Sequence, residues 1–259
     1  MKRDLGESMR EEEIDQEEVN VDFDFYDLIE CDYLSIKHLL RQLLDVDNVK
    51  FDLSELADFI INKGVGSTIK TDGEESDPFA LFALCENDHP LLNTMAQYYI
   101  EQTASNPKLY RTLLKLFNAE SQPRIGFLFS ERLLNMPEQL VAPLYRVLVD
   151  ELKQSNIEYD YVLIPSRCYT EHESVHDAPQ QKSKKGARAG VSAGPGEQEH
   201  FYHHEDETMK EFAVASGSFQ FQTPIDQTDS RRAFQELGIK PRGYLTVLKF
   251  SDLDKLALE

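Results

Sequence analysis

Ile125-Gly-Phe-Leu-Phe-Ser-Glu-Arg-Leu-Leu-Asn-Met-Pro137 decides the architecture. Ile125 to Phe129 is a continuously apolar run that follows Pro123, the composition of a strand buried on both faces. Ser130 to Pro137 then hands the chain to a helix whose Leu140, Leu144, Leu148 and Leu152 recur every four residues. Pro137 marks its first turn, and Pro143 inside the pattern must kink or restart it. Tyr161 to Pro165 reads as the next strand, so a buried strand, a helix and another strand follow in order.

Toward the N-terminus, two helices are predicted over roughly 89 to 103 and 107 to 117, the second opened by Asn106 and Pro107. Before them, Val65 to Lys70 and Phe79 to Leu84 flank the acidic turn Asp72, Glu74, Glu75, Asp77 and Pro78, which predicts a hairpin. Leu53, Leu56, Phe59 and Ile60 stripe a helix with Asp52 and Glu55 as N-cap and third-position partner, and Gly64 stands where a left-handed C-cap is wanted. Ile36, Leu39, Leu40, Leu43 and Leu44 mark a further helix that ends among Asp45 to Asn48. Val19, Val21, Phe23 and Phe25 alternate with polar residues, the period of a half-buried strand.

Toward the C-terminus, residues 171 to 199 hold Gly186, Gly190, Gly194, Gly196, Pro179 and Pro195 with almost no large apolar side chain, and read as a disordered surface loop. Glu205 to Phe212 reads as a short helix, Ser218 to Phe221 as a strand, and Tyr244 to Phe250 as a strong final strand before a helical turn. Hairpin and crossover connections together argue for an α/β fold with a mixed sheet flanked by helices, in one domain over 19 to 259.

Charge is distributed unevenly. The chain of 259 residues has formal net charge −20, and its first 32 residues carry 13 acidic side chains against Lys2, Arg3 and Arg10. Residues 1 to 18 form an acidic arm in which Glu11, Glu12, Glu13, Asp15, Glu17 and Glu18 repel one another and have little apolar surface to bury. Such an arm attracts a basic protein partner and repels phosphate, which disfavours direct nucleic-acid binding; the alternative reading is a plain solubility tail. No stretch matches a membrane span or a secretory signal, which points to a soluble intracellular protein. Cys31, Cys85 and Cys168 are far apart and read as free thiols.

Several motifs carry weaker chemistry. His172-Glu-Ser-Val-His176 matches the zinc metalloprotease signature, but Pro179 truncates any helix and the Gly-rich loop follows at once. His200, His203 and His204 read as solvated loop histidines. Lys182, Lys184, Lys185 and Arg188 form a dense basic cluster, open between a nuclear import signal and a solubilising tether. Ser8 and Ser76 stand among acids, as acidophilic kinase sites do.

Val19-Asn-Val-Asp-Phe-Asp-Phe25, Val65-Gly-Ser-Thr-Ile-Lys70 with its acidic turn, and Ile125 to Pro137 occur in an order that resembles the BCCIP family, whose fungal members are small acidic nuclear proteins. The resemblance runs from about Val19 to the end, without the loop. It implies a fold like that of the GNAT acetyltransferases without their activity, cofactor or metal. It also implies a nuclear chaperone or escort for a basic protein of the large ribosomal subunit, shuttling between nucleus and cytoplasm with nuclear transport receptors. A further implied role is nuclear export of a phosphatidylinositol phosphate kinase, through which actin organisation and vesicular transport are affected. The alternative, a GNAT-type acyltransferase, needs Gln or Arg, two residues, Gly, one residue, then Gly or Ala at a helix start, so that bare amides hold the cofactor pyrophosphate. Arg3 to Gly6 and Gln235 to Gly238 begin that pattern, and Ser8 and Lys240 break it. After Phe129 the chain offers Ser130 and Glu131 instead.

Overall fold

The computed structural model describes residues 21–118, 122–171, 199–224 and 239–257. Eight strands make one sheet: β1 (Asp24–Asp27), β2 (Val65–Lys70), β3 (Ala80–Glu86), β4 (Ile125–Arg132), β5 (Tyr161–Glu171), β6 (Glu199–Phe201), β7 (Ala215–Phe219) and β8 (Ile239–Lys249). The order across the sheet is β1-β2-β3-β4-β5-β8-β7, with β6 on β5. Every pairing is antiparallel except β4 with β5. A parallel pair needs a crossover, and the helix α5 (Val141–Gln154) supplies it.

Two apolar layers cover the sheet. On one face α1 (Tyr33–Leu44), α2 (Leu53–Lys63), α3 (Pro90–Gln102) and α4 (Pro107–Phe117) bury Ile36, Leu40, Leu56, Leu92, Met95 and Leu113 against Ala83, Phe127, Phe129 and Val247. On the other, α5, α6 (Glu205–Phe212) and α7 (Leu253–Leu256) bury Tyr145, Leu148, Met209 and Leu256 against Phe82, Leu128, Val162 and Leu248. Removing each such aliphatic side chain from water contributes roughly 1.5–3 kcal/mol. Strand alternation sorts the residues between the faces: Phe127 and Phe129 face the first layer, Leu128 the second.

The sequence expectation of an α/β mixed sheet flanked by helices holds, and so does the hairpin, with Ser67 opposite Phe82 and Ile69 opposite Ala80. Asp52 caps α2 as expected, accepting from the backbone N–H of Ser54 at 2.9 Å and of Glu55 at 3.1 Å. Asn106 caps α4 through Leu109 N–H at 3.2 Å.

Four expectations need correction, and the alternative left open at Pro143 is decided. Gly64 follows α2 in an extended conformation, φ −69° and ψ 144°, because β2 begins at the next residue and leaves no room for a left-handed turn. Pro143 restarts the helix rather than kinking it: a 3-10 turn over Glu138–Leu140 precedes α5, and Pro143 falls in its first turn, where a missing N–H costs nothing. The first strand starts at Asp24, whereas Val19 lies outside the described residues. The strand expected over Ser218 to Phe221 is Ala215–Phe219, since its register on β8 runs from Ala215 opposite Val247 to Phe219 opposite Gly243. Most consequential, β4 does not stop at Phe129 but continues through Arg132, paired throughout with β3.

Candidate functional site

Open α/β sheets bind ligands outside the carboxyl ends of their parallel strands, where neighbours diverge. Here that place is where β4 and β5 part. They pair only from Ile125 opposite Tyr161 to Phe127 opposite Leu163. Beyond that β4 follows β3 to Arg132, and β5 follows β8 to Glu171. Because β8 occupies one edge of β5 along its whole length, β6 must take the edge that β4 has left, pairing with Cys168, Tyr169 and Thr170.

The crevice so formed is filled by paired charges. The period of two turns Glu131 toward α1 and Arg132 toward α6, and does the same for Arg167 and Ser166 of β5. On the α1 side, the fully buried Glu131 carboxylate accepts from Gln42 Nε2 at 2.9 Å, its neighbour's backbone N–H at 3.1 Å and Arg167 Nε at 3.1 Å. His203 Nε2 lies 2.8 Å from the same carboxylate. Burial pushes the Glu131 carboxyl up, but the His203 hydrogen bond and the Arg167 guanidinium outweigh it and hold it below the usual range, so His203 is the donor.

On the α6 side, Arg132 forms a two-pronged pair with Glu205, one prong at 2.9 Å, and both are nearly buried. Burial pushes the Glu205 carboxyl up, and hydrogen bonding and attraction from Arg132 bring it below normal. Next to it, Asp206 accepts from Ser166 Oγ. Its burial, with the Glu205 charge beside it, raises the Asp206 carboxyl well above the ordinary carboxylate range. Cys168 Sγ reaches Glu199 Oε1 at 3.8 Å and closes the β6 end. With β6 and α6 inserted, the parted strands meet side chains of this chain where a phosphate would need bare backbone amides.

A further buried pair stands nearer the β1 edge of the sheet: Lys70 Nζ lies 2.6 Å from Asp32 Oδ1, both fully buried, tying the turn before α1 to β2.

Several sequence-predicted residues fall elsewhere. Glu11, Glu12, Glu13, Asp15, Glu17 and Glu18 lie outside the described residues, as do Lys182, Lys184, Lys185 and Arg188, the His172 to His176 motif and Ser8. Ser76 is in the β2–β3 turn, its hydroxyl donating to Gly73 O at 2.8 Å. His203 corrects the expectation of solvated histidines: it is 4% exposed because Glu131 holds it inside. His204 remains exposed, and His200 stacks on Tyr169 with ring centroids 5.3 Å apart. Among the described residues no group of three His, Cys, Asp or Glu side chains is arranged to hold a metal ion, and no helix is long and apolar enough to cross a membrane. Sequence reasoning missed Gln42, Arg167, Glu205 and Asp206; the available signal was the pair Glu131-Arg132 directly after a buried apolar run.

Comparison with known proteins places these features in a family. The chain is 38% identical over 246 residues to Protein BCP1 of Yarrowia lipolytica, covering 92% of this chain and 80% of that protein. Protein bcp1 of Schizosaccharomyces pombe is 36% identical over 254 residues, with 94% and 89% covered. The crystal structure of BCP1 from Saccharomyces cerevisiae shares the fold, with a TM-score of 0.63 at 24% identity over 97% of this chain and 92% of that one. The family model described as BCCIP matches residues 18–209, and with these relatives it shows that the chain belongs to the BCCIP family.

Proposed function

We propose that this protein is a non-catalytic nuclear escort that masks a basic client protein. The observation that carries the reading is charge: 47 acidic against 27 basic residues, with Glu11 to Glu18 concentrated in one arm. A polyanionic surface steers a cationic protein toward itself and keeps RNA away from the same lysines and arginines. The folded body supplies residence time through shape and apolar contact, and the arm supplies association rate.

Membership of the BCCIP family supports a protein-binding role. The finer assignments follow from that family likeness: a basic protein of the large ribosomal subunit as client, export of a phosphatidylinositol phosphate kinase, and shuttling between nucleus and cytoplasm with Lys182, Lys184, Lys185 and Arg188 as import signal. The filled crevice between β4 and β5 supports a body that works without a cofactor, since Glu131 and Glu205 are already engaged there. Affinity purification from nuclear extract tests the escort reading: near-stoichiometric recovery of basic ribosomal proteins supports it, and recovery of no reproducible partner refutes it. A saturable rise in melting temperature with acetyl-CoA would instead revive the GNAT-type acyltransferase alternative.

A further inference from the structure

At the end of the sheet opposite the filled crevice, a cleft of about 530 Å³ opens between α2, the end of β3 and the segment leading into β5. This volume lies within the usual range for ligand clefts. Phe59 and Tyr159 form aromatic walls, and Glu55, Asp58, Glu86 and Asp88 ring them with carboxylates.

The molecule already demonstrates what this lining holds. Arg124, on the β4 side of the mouth, lays its guanidinium over Tyr159 at 5.3 Å and pairs two-pronged with Glu86, at 3.0 and 2.8 Å. A planar cation on a ring with a carboxylate at its edge is the arrangement that favours arginine over lysine. The second wall carries a histidine where the first carries a guanidinium. Phe59 packs against His89, with ring centroids 4.6 Å apart, and Glu55 lies 3.9 Å from His89. The Asp58 and Asp88 carboxylates have no hydrogen-bond or ion partner among the described residues, and both are exposed. Among the described residues Lys63 is the one other lysine or arginine at the cleft, so after Arg124 is paired the carboxylates there remain in excess.

We infer that this cleft is a docking site for an arginine side chain of a basic partner segment, held on Phe59 with Asp58, Asp88 and Glu55 around the guanidinium. The inference rests on the escort reading and names a place on the folded body, separate from the acidic arm, where that reading is enacted.

The test is calorimetric titration of the full chain with a blocked octa-arginine peptide and, separately, octa-lysine. The variants are Glu55→Lys with Asp58→Lys, and a control of equal charge change, Asp72→Lys with Glu75→Lys, on the exposed β2–β3 turn. All four positions are on the surface, and melting curves establish that the variants fold. The inference expects octa-arginine to bind more tightly than octa-lysine, the cleft variant to lose at least tenfold in affinity, and the turn variant to lose less than threefold. Equal losses in the two variants, or equal affinity for the two peptides, overturn the cleft. If deletion of residues 1 to 18 abolishes peptide binding while the cleft variant binds normally, the cleft fails and the escort reading stands. If the chain binds a basic client protein but not octa-arginine, the cleft alone fails; if it binds neither, the escort reading fails as well.

Discussion

Replacing Glu131 by Gln keeps the shape of the side chain and removes its charge from the crevice between β4 and β5. Arg167 Nε lies 3.1 Å from the carboxylate, and at an effective dielectric near 20 that attraction is about 5 kcal/mol before desolvation is subtracted. The amide also cannot match the bonding pattern. Oε1 takes bonds from Gln42, His203 and the Arg132 backbone, whereas Oε2 takes Arg167 Nε, so whichever way the amide turns, its NH₂ faces a donor. Removing one member of a buried pair costs about 3–5 kcal/mol, a large share of the roughly 5–15 kcal/mol that holds a typical domain together.

Urea unfolding followed by far-UV circular dichroism reads this directly. With a slope of about 2 kcal/mol/M, the midpoint should fall by roughly 1.5–2.5 M with the slope unchanged. The difference should depend on pH with a definite sign. The folded-state pKa of Glu131 is depressed, so its contribution is present above the ordinary carboxylate pKa and is lost as pH falls through the folded value. The gap between wild type and variant therefore closes in acid. A midpoint within about 0.3 M of wild type at neutral pH, or a gap that persists unchanged in strong acid, would refute the reasoning.

Asp206→Asn should behave oppositely: the folded pKa of Asp206 is raised, so wild type loses stability as pH climbs past the ordinary value of about 3.9, and the variant should gain on it across the mildly acidic range above that value. A difference in melting temperature that stays flat or falls over that range counts against the assignment. Lys70→Met leaves Asp32 buried without its cation and should cost about 3–5 kcal/mol in urea, much of it recovered by adding Asp32→Asn; no recovery in the double variant would sever the coupling. Gly66 has φ 143°, and a Cβ there would lie 2.1 Å from Phe82 O, so Gly66→Ala should lower stability by at least about 2 kcal/mol through the β2–β3 pairing; a near-neutral variant would mean the strands can shift. Deleting residues 1 to 18 should slow association with a basic protein and flatten its salt dependence without changing the melting temperature; unchanged kinetics would remove the arm from the mechanism.

Much of the fold was legible because its elements announce themselves locally. Leu39, Leu40, Leu43 and Leu44 repeat with a helical period, Asp52 and Asn106 are caps, and Val65 to Lys70 faces Ala80 to Glu86 across a turn rich in acids. Where the reading fell short, a long-range partner overrode local pattern. Ser130, Glu131 and Arg132 look like the end of a strand because polar residues follow apolar ones, yet they stay in β4, since Arg167, His203 and Glu205 arrive from residues 36 to 73 positions later. The same holds for His203, which lies between two short elements and whose burial depends on a carboxylate in a distant strand. No periodicity within one segment reports such a pairing. The charge of the arm was visible by simple counting, but its residues lie outside those the structure describes.

The escort mechanism is tested most directly by mixing the purified protein with a basic large-subunit ribosomal protein and following association by stopped flow across a salt series, with competing RNA present. A one-to-one complex is expected, forming fast at about 50 mM salt, slowing steeply as salt is added, and keeping the bound client from the RNA. No complex even at low salt, or a client that takes up RNA equally well with and without the protein, would contradict the account.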